Sequence, residues 1–121
     1  MFLVDTSVWV SHFREGNVKL VNLLNDGYVM CHPFIVGELA CGNLKNRSEI
    51  LSLLKTLPMA IQAEHEEALM CIENNQLMGK GLGYIDIHLL ASALLTKAPI
   101  WTFDKKLNEV STKLALGFGK T

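Results

Sequence analysis

The chain has 121 residues, half of them apolar and 19% charged, which excludes disordered and low-complexity classes and predicts one unit over residues 1–121. At this length folding buries roughly two-thirds of the surface that the unfolded chain exposes. Eleven Lys and Arg against twelve Asp and Glu leave a formal charge of −1, so phosphate binding must come from a local patch, not from bulk charge.

Residues 2–5 (FLVD) read as a short buried strand, followed at once by a helical pattern from Thr6 to about Glu15. Leu20, Val21 and Leu24 give a second helix over residues 17–26, which Gly27 ends. Tyr28 to Cys31 reads as a second strand, and Pro33 suits the first turn of a helix running to about Gly42. Asn46 with Glu49 predicts a capping box for the next helix, which carries Ile50, Leu51, Leu54 and Leu57 and stops at Pro58. A third strand is expected at Met59 to Gln62. The acids Glu64, Glu66 and Glu67 then open a long helix to about Met78. Gly79 to Gly83 is a flexible connection, and Asp86 opens a helix through Lys97. After Pro99, Ile100 to Phe103 is a fourth strand. A last amphipathic helix from Asp104 to about Leu116 leads to a short tail.

Strands that are apolar on both faces and separated by helices predict a parallel sheet covered on both sides, a three-layer α/β/α sandwich. Such sheets bind ligands at the edge where the strands' C-terminal ends meet. No apolar run reaches the length of a membrane span, and an acid at position 5 breaks the opening apolar stretch. The expectation is therefore no membrane helix, no signal peptide and a cytoplasmic protein. Cys31, Cys41 and Cys71 show no C-x-x-C spacing and are expected to be reduced, buried small hydrophobes.

The four aspartates are Asp5, Asp26, Asp86 and Asp104, and three of them fall where the sheet's functional edge should be. Asp5 and Asp104 end strands, while Asp86 follows the glycine-rich connection. Each could simply cap a helix. Glu38 stands in a helix otherwise without charge, where burial is costly unless the carboxylate is paired or bound to metal. Lys45 or Arg47 could also pair with it. Two like charges about 5 Å apart repel by roughly 3 kcal/mol at an effective dielectric near 20. Four converging carboxylates therefore call for protons or a cation, and an all-oxygen set selects hard ions such as Mg²⁺ or Mn²⁺. A metal-activated water attacking phosphorus is the natural chemistry of such a set.

Val4-Asp-Thr-Ser7, Gly37-Glu-Leu39, Gly83-Tyr-Ile-Asp86 with Ala91, and Thr102-Phe-Asp104 together resemble the acidic quartet of PIN-domain ribonucleases. His32-Pro33, Gly81 through Ser92 and Trp101 through Leu107 more narrowly resemble VapC-type toxins of bacterial toxin–antitoxin pairs. The resemblance spans essentially the whole chain. It implies a mostly parallel five-stranded sheet with the first strand central, and an endoribonuclease dependent on Mg²⁺ or Mn²⁺. By position Asp5, Glu38, Asp86 and Asp104 would be the catalytic acids and metal ligands, with Thr6 and Thr102 orienting carboxylates or water. It also implies a homodimer inhibited by a small antitoxin whose tail enters the acidic groove.

Lys105 and Lys106 are candidates for holding RNA phosphates beside the acids, and Arg14 for contacting RNA phosphate or the antitoxin. His88 lies on another helix face from Asp86 and is expected to be non-catalytic, and His12, His32 and His65 share no metal-ligand spacing. Trp9 and Trp101 are expected to pack in the core or at an interface. A haloacid-dehalogenase-like phosphotransferase needs a second acid where Ser7 stands, and a phospho-receiver needs one where the second strand ends in Cys31-His32. The alternative from another class is a PIN-like module that binds RNA or protein without cutting.

Overall fold

The computed structural model describes residues 1–118; the end of the tail, 119–121, lies outside them. In chain order the elements are β1 (Phe2–Val4), α1 (Thr6–Glu15), α2 (Val18–Asn25), β2 (Val29–Met30), α3 (Pro33–Ala40) and α4 (Arg47–Thr56). There follow α5 (His65–Asn75), α6 (Tyr84–Thr96), β3 (Ile100–Trp101) and α7 (Lys105–Lys113). The strands form a parallel sheet in the order β2-β1-β3. Leu3 lies opposite Met30 on one side and Ile100 on the other. With β1 central, the crossovers to β2 and to β3 run in opposite directions, and a right-handed hand for both puts their helices on opposite faces.

Leu3, Val4, Val29 and Ile100 are buried on both faces of the sheet, which is why the strands read as continuous apolar runs. Leu20, Ile35, Leu39, Leu89, Leu90 and Leu107 complete the core from four helices. Each such side chain contributes about 1.5–3 kcal/mol on burial. Trp9 and Trp101 are buried, as the sequence suggests. No helix among the described residues is long and apolar enough to cross a membrane.

Among the described residues the sheet has three strands, not five. Met59 meets Cys31 only as an isolated bridge, and Gly117 meets Ile100 in the same way on the other side. Residues 59–62 fail to extend as a strand because their neighbouring amides go elsewhere. Ile61 N–H donates to Thr96 Oγ1 (2.9 Å) and Ala63 N–H to Ser92 Oγ (3.3 Å). At the other edge α7 stops at Lys113, and Ala115 at φ 61° turns the chain so that Leu116 can accept from Ile100 N–H (2.7 Å).

Three helix boundaries also differ from expectation. Asn46 adopts φ 53° and makes no side-chain capping bond, so the Asn46–Glu49 capping box does not form. A real cap forms at α5, where Glu67 Oε1 accepts the Glu64 N–H at 2.8 Å. That helix ends at Asn75 because Gln76 turns left-handed (φ 54°) and Leu77 tucks into the core. Asp86 does not open α6; Gly83 does, and Asp86 is the helix's third residue.

His32 anchors the start of α3. Its Nδ1 accepts the Phe34 N–H (2.9 Å), so the neutral ring carries its proton on Nε2 and donates to Ser92 Oγ (3.1 Å) on α6. The ring is 1% exposed. Pro33, whose missing N–H is harmless in a first turn, follows it.

Candidate active site

Asp5 directly follows β1, and Asp104 follows β3 after Thr102 and Phe103, so parallel pairing brings both to one edge of the sheet. Glu38 projects from α3, which begins just past β2, and Asp86 sits in the first turn of α6. Asp5 is buried, Glu38 and Asp86 are half-buried, and Asp104 is exposed.

Each carboxylate has one oxygen held by the protein. Asp5 Oδ2 accepts from Thr102 Oγ1 (2.7 Å), Ser7 Oγ (2.8 Å) and, at 3.4 Å, Ser7 N–H. Glu38 Oε1 accepts from Thr6 Oγ1 (2.7 Å). Asp86 Oδ2 accepts the Gly83 N–H (3.2 Å), and Asp104 Oδ1 accepts the Leu107 N–H (2.8 Å) as the cap of α7. The other oxygen of each acid, Oδ1 of Asp5, Oε2 of Glu38, Oδ1 of Asp86 and Oδ2 of Asp104, has no protein donor among the described residues. Capping and ligation are thus not exclusive here: one oxygen fixes the side chain and leaves the other available.

The two hydroxyls on Asp5 are themselves anchored. Thr102 Oγ1 accepts the Asp104 N–H (3.0 Å), Ser7 Oγ accepts the Phe103 N–H (2.9 Å), and the hydroxyls stand 3.2 Å apart. One hydrogen-bond chain therefore joins the end of β1 to the loop after β3 and fixes Asp5 against Asp104.

Burial pushes the Asp86 carboxyl up from its usual range; the Gly83 N–H opposes this, and the charges of Asp5, Asp104 and Glu38 raise it further. That one acid feels all three others places the four in a shared field. Among the described residues no three His, Cys, Asp or Glu side chains are spaced to hold one ion as they stand. The quartet is an electrostatic cluster whose carboxylates, as they stand, do not meet on a common point.

Thr6 and Thr102, the expected orienting residues, donate to Glu38 and Asp5 respectively. Ser7, which bonds Asp5, was not among the expected site residues; its signal was a hydroxyl two residues past an acid at a helix start, the spacing of a cap. Arg47 donates to the Ala40 carbonyl (2.6 Å). Arg14 is exposed at the end of α1 and lines a cleft of about 710 Å³ that includes Glu38, Lys45 and the apolar Phe13, Leu39 and Leu44. Lys105 and Lys106 are exposed in the first turn of α7. His88 is buried edge-on against Phe34 and Tyr84. All three cysteines are free, but only Cys31 and Cys71 are buried; Cys41, at the end of α3, is exposed, since that position faces outward.

A PIN domain family model matches residues 2–113. Ribonuclease VapC32 of Mycobacterium tuberculosis, in strains CDC 1551 / Oshkosh and ATCC 25618 / H37Rv, is 44% identical over 108 residues, covering 88% of this chain and 87% of that protein. The crystal structure of PAE2754 from Pyrobaculum aerophilum matches with a TM-score of 0.61 at 14% identity, over 94% of this chain and 88% of that one. At that identity the likeness is one of fold.

Proposed function

The chain belongs to the PIN-domain family, and on that premise we propose that it is a divalent-metal-dependent endoribonuclease, the toxin of a toxin–antitoxin pair. The observation that carries this reading is the quartet itself: four acids in one field, each with one oxygen fixed and one free. Oxygen donors without Cys or His suit Mg²⁺ or Mn²⁺. When bound there, such an ion supplies an activated water and charge stabilisation for the leaving oxygen of a phosphodiester. Asp5, Glu38, Asp86 and Asp104 would hold it. Thr102 and Ser7 keep Asp5 in one orientation, and Thr6 does the same for Glu38. Lys105, Lys106 and Arg14 flank the acids and would hold the RNA backbone.

The partners follow from the same reading. The cleft beside Glu38, apolar at Phe13, Leu39 and Leu44, supports entry of an antitoxin tail toward the acids. An apolar strip of Met70, Leu94 and Leu95 between α5 and α6 supports pairing of two copies. We take residues 1–121 as one nuclease domain with a cytoplasmic place of action, arranged as a three-layer sandwich.

Binding without cutting is the second reading, and the unclosed spacing of the acids favours it. Thermal melts with Mn²⁺ separate the two. A bound ion at a hundred times its dissociation constant stabilises by about 2.7 kcal/mol, so the wild-type Tm should rise by several degrees, while Asp5→Asn should show little rise. An equal rise in both proteins would remove Asp5 from the ligand set, and no rise in either would favour the non-catalytic module.

The hydroxyls on Asp5 have their own expected effect. Groups that orient a metal ligand change activity by about 10–100-fold when removed. Thr102→Val and Ser7→Ala should each lower cleavage within that range while the protein stays folded, and the double variant should lose less than the product because both act on Asp5 Oδ2. Single-turnover cleavage assays check this; unchanged rates would show that Asp5 needs neither hydroxyl.

A further inference from the structure

The loop between α5 and α6 holds a charged feature that the acid cluster does not use. Gly79 and Gly81 adopt φ 71° and 78° on either side of Lys80, which has no such left-handed turn. Positive φ at residues flanking one of ordinary φ is compatible with the backbone concavities that bind anions. Among the described residues the Gly81 and Leu82 N–H groups donate to no protein acceptor. The loop is exposed at Gly79, Lys80 and Gly81.

Lys106 reaches this loop from the first turn of α7. A Cβ built on Gly81 would stand 2.6 Å from Lys106 Nζ, 2.8 Å from its Cδ and 3.1 Å from its Cε. The lysine stem therefore lies flat on the face of Gly81 and delivers its ammonium to the loop. Any side chain at position 81 would displace it, besides resisting the left-handed φ. Gly81 lies five residues before Asp86, and Lys106 two after Asp104, so the contact ties together the segments that carry two of the four acids.

We infer that Lys106, seated on Gly81, forms with Lys80 and the Gly81 and Leu82 N–H groups a site for a backbone phosphate of the RNA strand next to the one cleaved. The inference rests on the ribonuclease reading above. A polyanion approaching four carboxylates meets repulsion, and a cation held just outside them offsets it and fixes the strand's register. Lys105 has no such seat, so the two adjacent lysines are not equivalent.

The test is the salt dependence of RNA binding. A labelled short single-stranded RNA is titrated by anisotropy across a salt series, in an Asp86→Asn background that keeps the strand intact. Lys106→Ala should weaken binding about tenfold and flatten the slope of log K against log salt by about 0.7, one phosphate contact on single-stranded nucleic acid. Gly81→Ala should flatten it similarly with Lys106 still present, and Lys106→Arg should restore most of the slope. Lys55→Ala, which removes an exposed lysine on α4, should leave the slope unchanged. In the native background Lys106→Ala should raise KM more than it lowers kcat. An unchanged slope and affinity in Lys106→Ala would overturn the inference and make the contact a packing latch. A wild-type protein that binds RNA but cuts none overturns the ribonuclease reading alone, because the slopes still decide Lys106.

Discussion

Asp86→Asn is expected to lower RNA cleavage about a thousandfold or more. Loss of a ligand from a metal that stabilises transition-state charge removes several kcal/mol, and each 1.4 kcal/mol is about tenfold in rate. Asparagine keeps the shape and an oxygen for the Gly83 N–H, so the fold should persist. The same variant should melt higher than the wild type at pH 7 in EDTA. The folded carboxyl titrates above its ordinary 3.8, chiefly because it is buried and then because Asp5, Asp104 and Glu38 surround it. A raised acid binds its proton more readily folded than unfolded, so stability is complete below 3.8 and falls as pH rises through the folded value. Asparagine does not ionise and avoids that loss. The difference should vanish as pH falls below 3.8; a variant less stable than wild type at pH 7 would make the helix-start bond the main role of Asp86.

The largest effect on stability is expected from acid, through His32. Burial first, and the nearby His88 second, lower its pKa from 6.5 to about 4. The ring accepts from Phe34 through Nδ1, a role that protonation abolishes. A lowered histidine contributes stability that is complete above the unfolded value and lost as pH falls through the folded one. Across pH 6.5 to about 4 the loss amounts to about 3 kcal/mol, a large share of a small domain's stability. His32→Asn keeps an acceptor for the Phe34 N–H but does not titrate in this window. Urea unfolding at a series of pH values should show wild-type stability falling relative to the variant's across the window. Because ionised Asp86 pulls in the opposite direction, the wild-type-minus-variant difference is the quantity to read. Parallel curves would assign the pH dependence elsewhere.

The parts of the fold legible in the sequence are those in which local pattern and tertiary context agree. Val4 and Asp5 mark the change from buried strand to helix start, and Pro33 and Gly27 punctuate where their backbones require. The expected strand at Met59 to Gln62 reads as apolar and extended, yet the amides of Ile61 and of Ala63 just beyond it are claimed by Thr96 and Ser92, 35 and 29 positions away. No local pattern carries that information. Asn46 and Gln76 are similar: both adopt left-handed backbone without glycine, because Ile50 and Leu77 must reach the core. In the candidate site, Asp5 and Asp104 are legible as acids at strand ends, Glu38 as a lone charge on an apolar helix and Asp86 by its glycine-rich approach, whereas Ser7 looks like any helix-start serine until Thr102 is brought beside it. The seat of Lys106 on Gly81 joins residues 25 positions apart, and the sequence offers only two unremarkable features, a glycine-rich turn and a lysine pair.

The most direct test of the central claim is cleavage of total cellular RNA by the purified, antitoxin-free protein with Mn²⁺ and with EDTA. Discrete fragments that appear with Mn²⁺ and vanish with EDTA are the predicted result. Intact RNA in both, from a folded protein that binds Mn²⁺ with the expected rise in Tm, would contradict an endoribonuclease acting on cellular RNA, and fragments that persist in EDTA would contradict the metal-bound quartet.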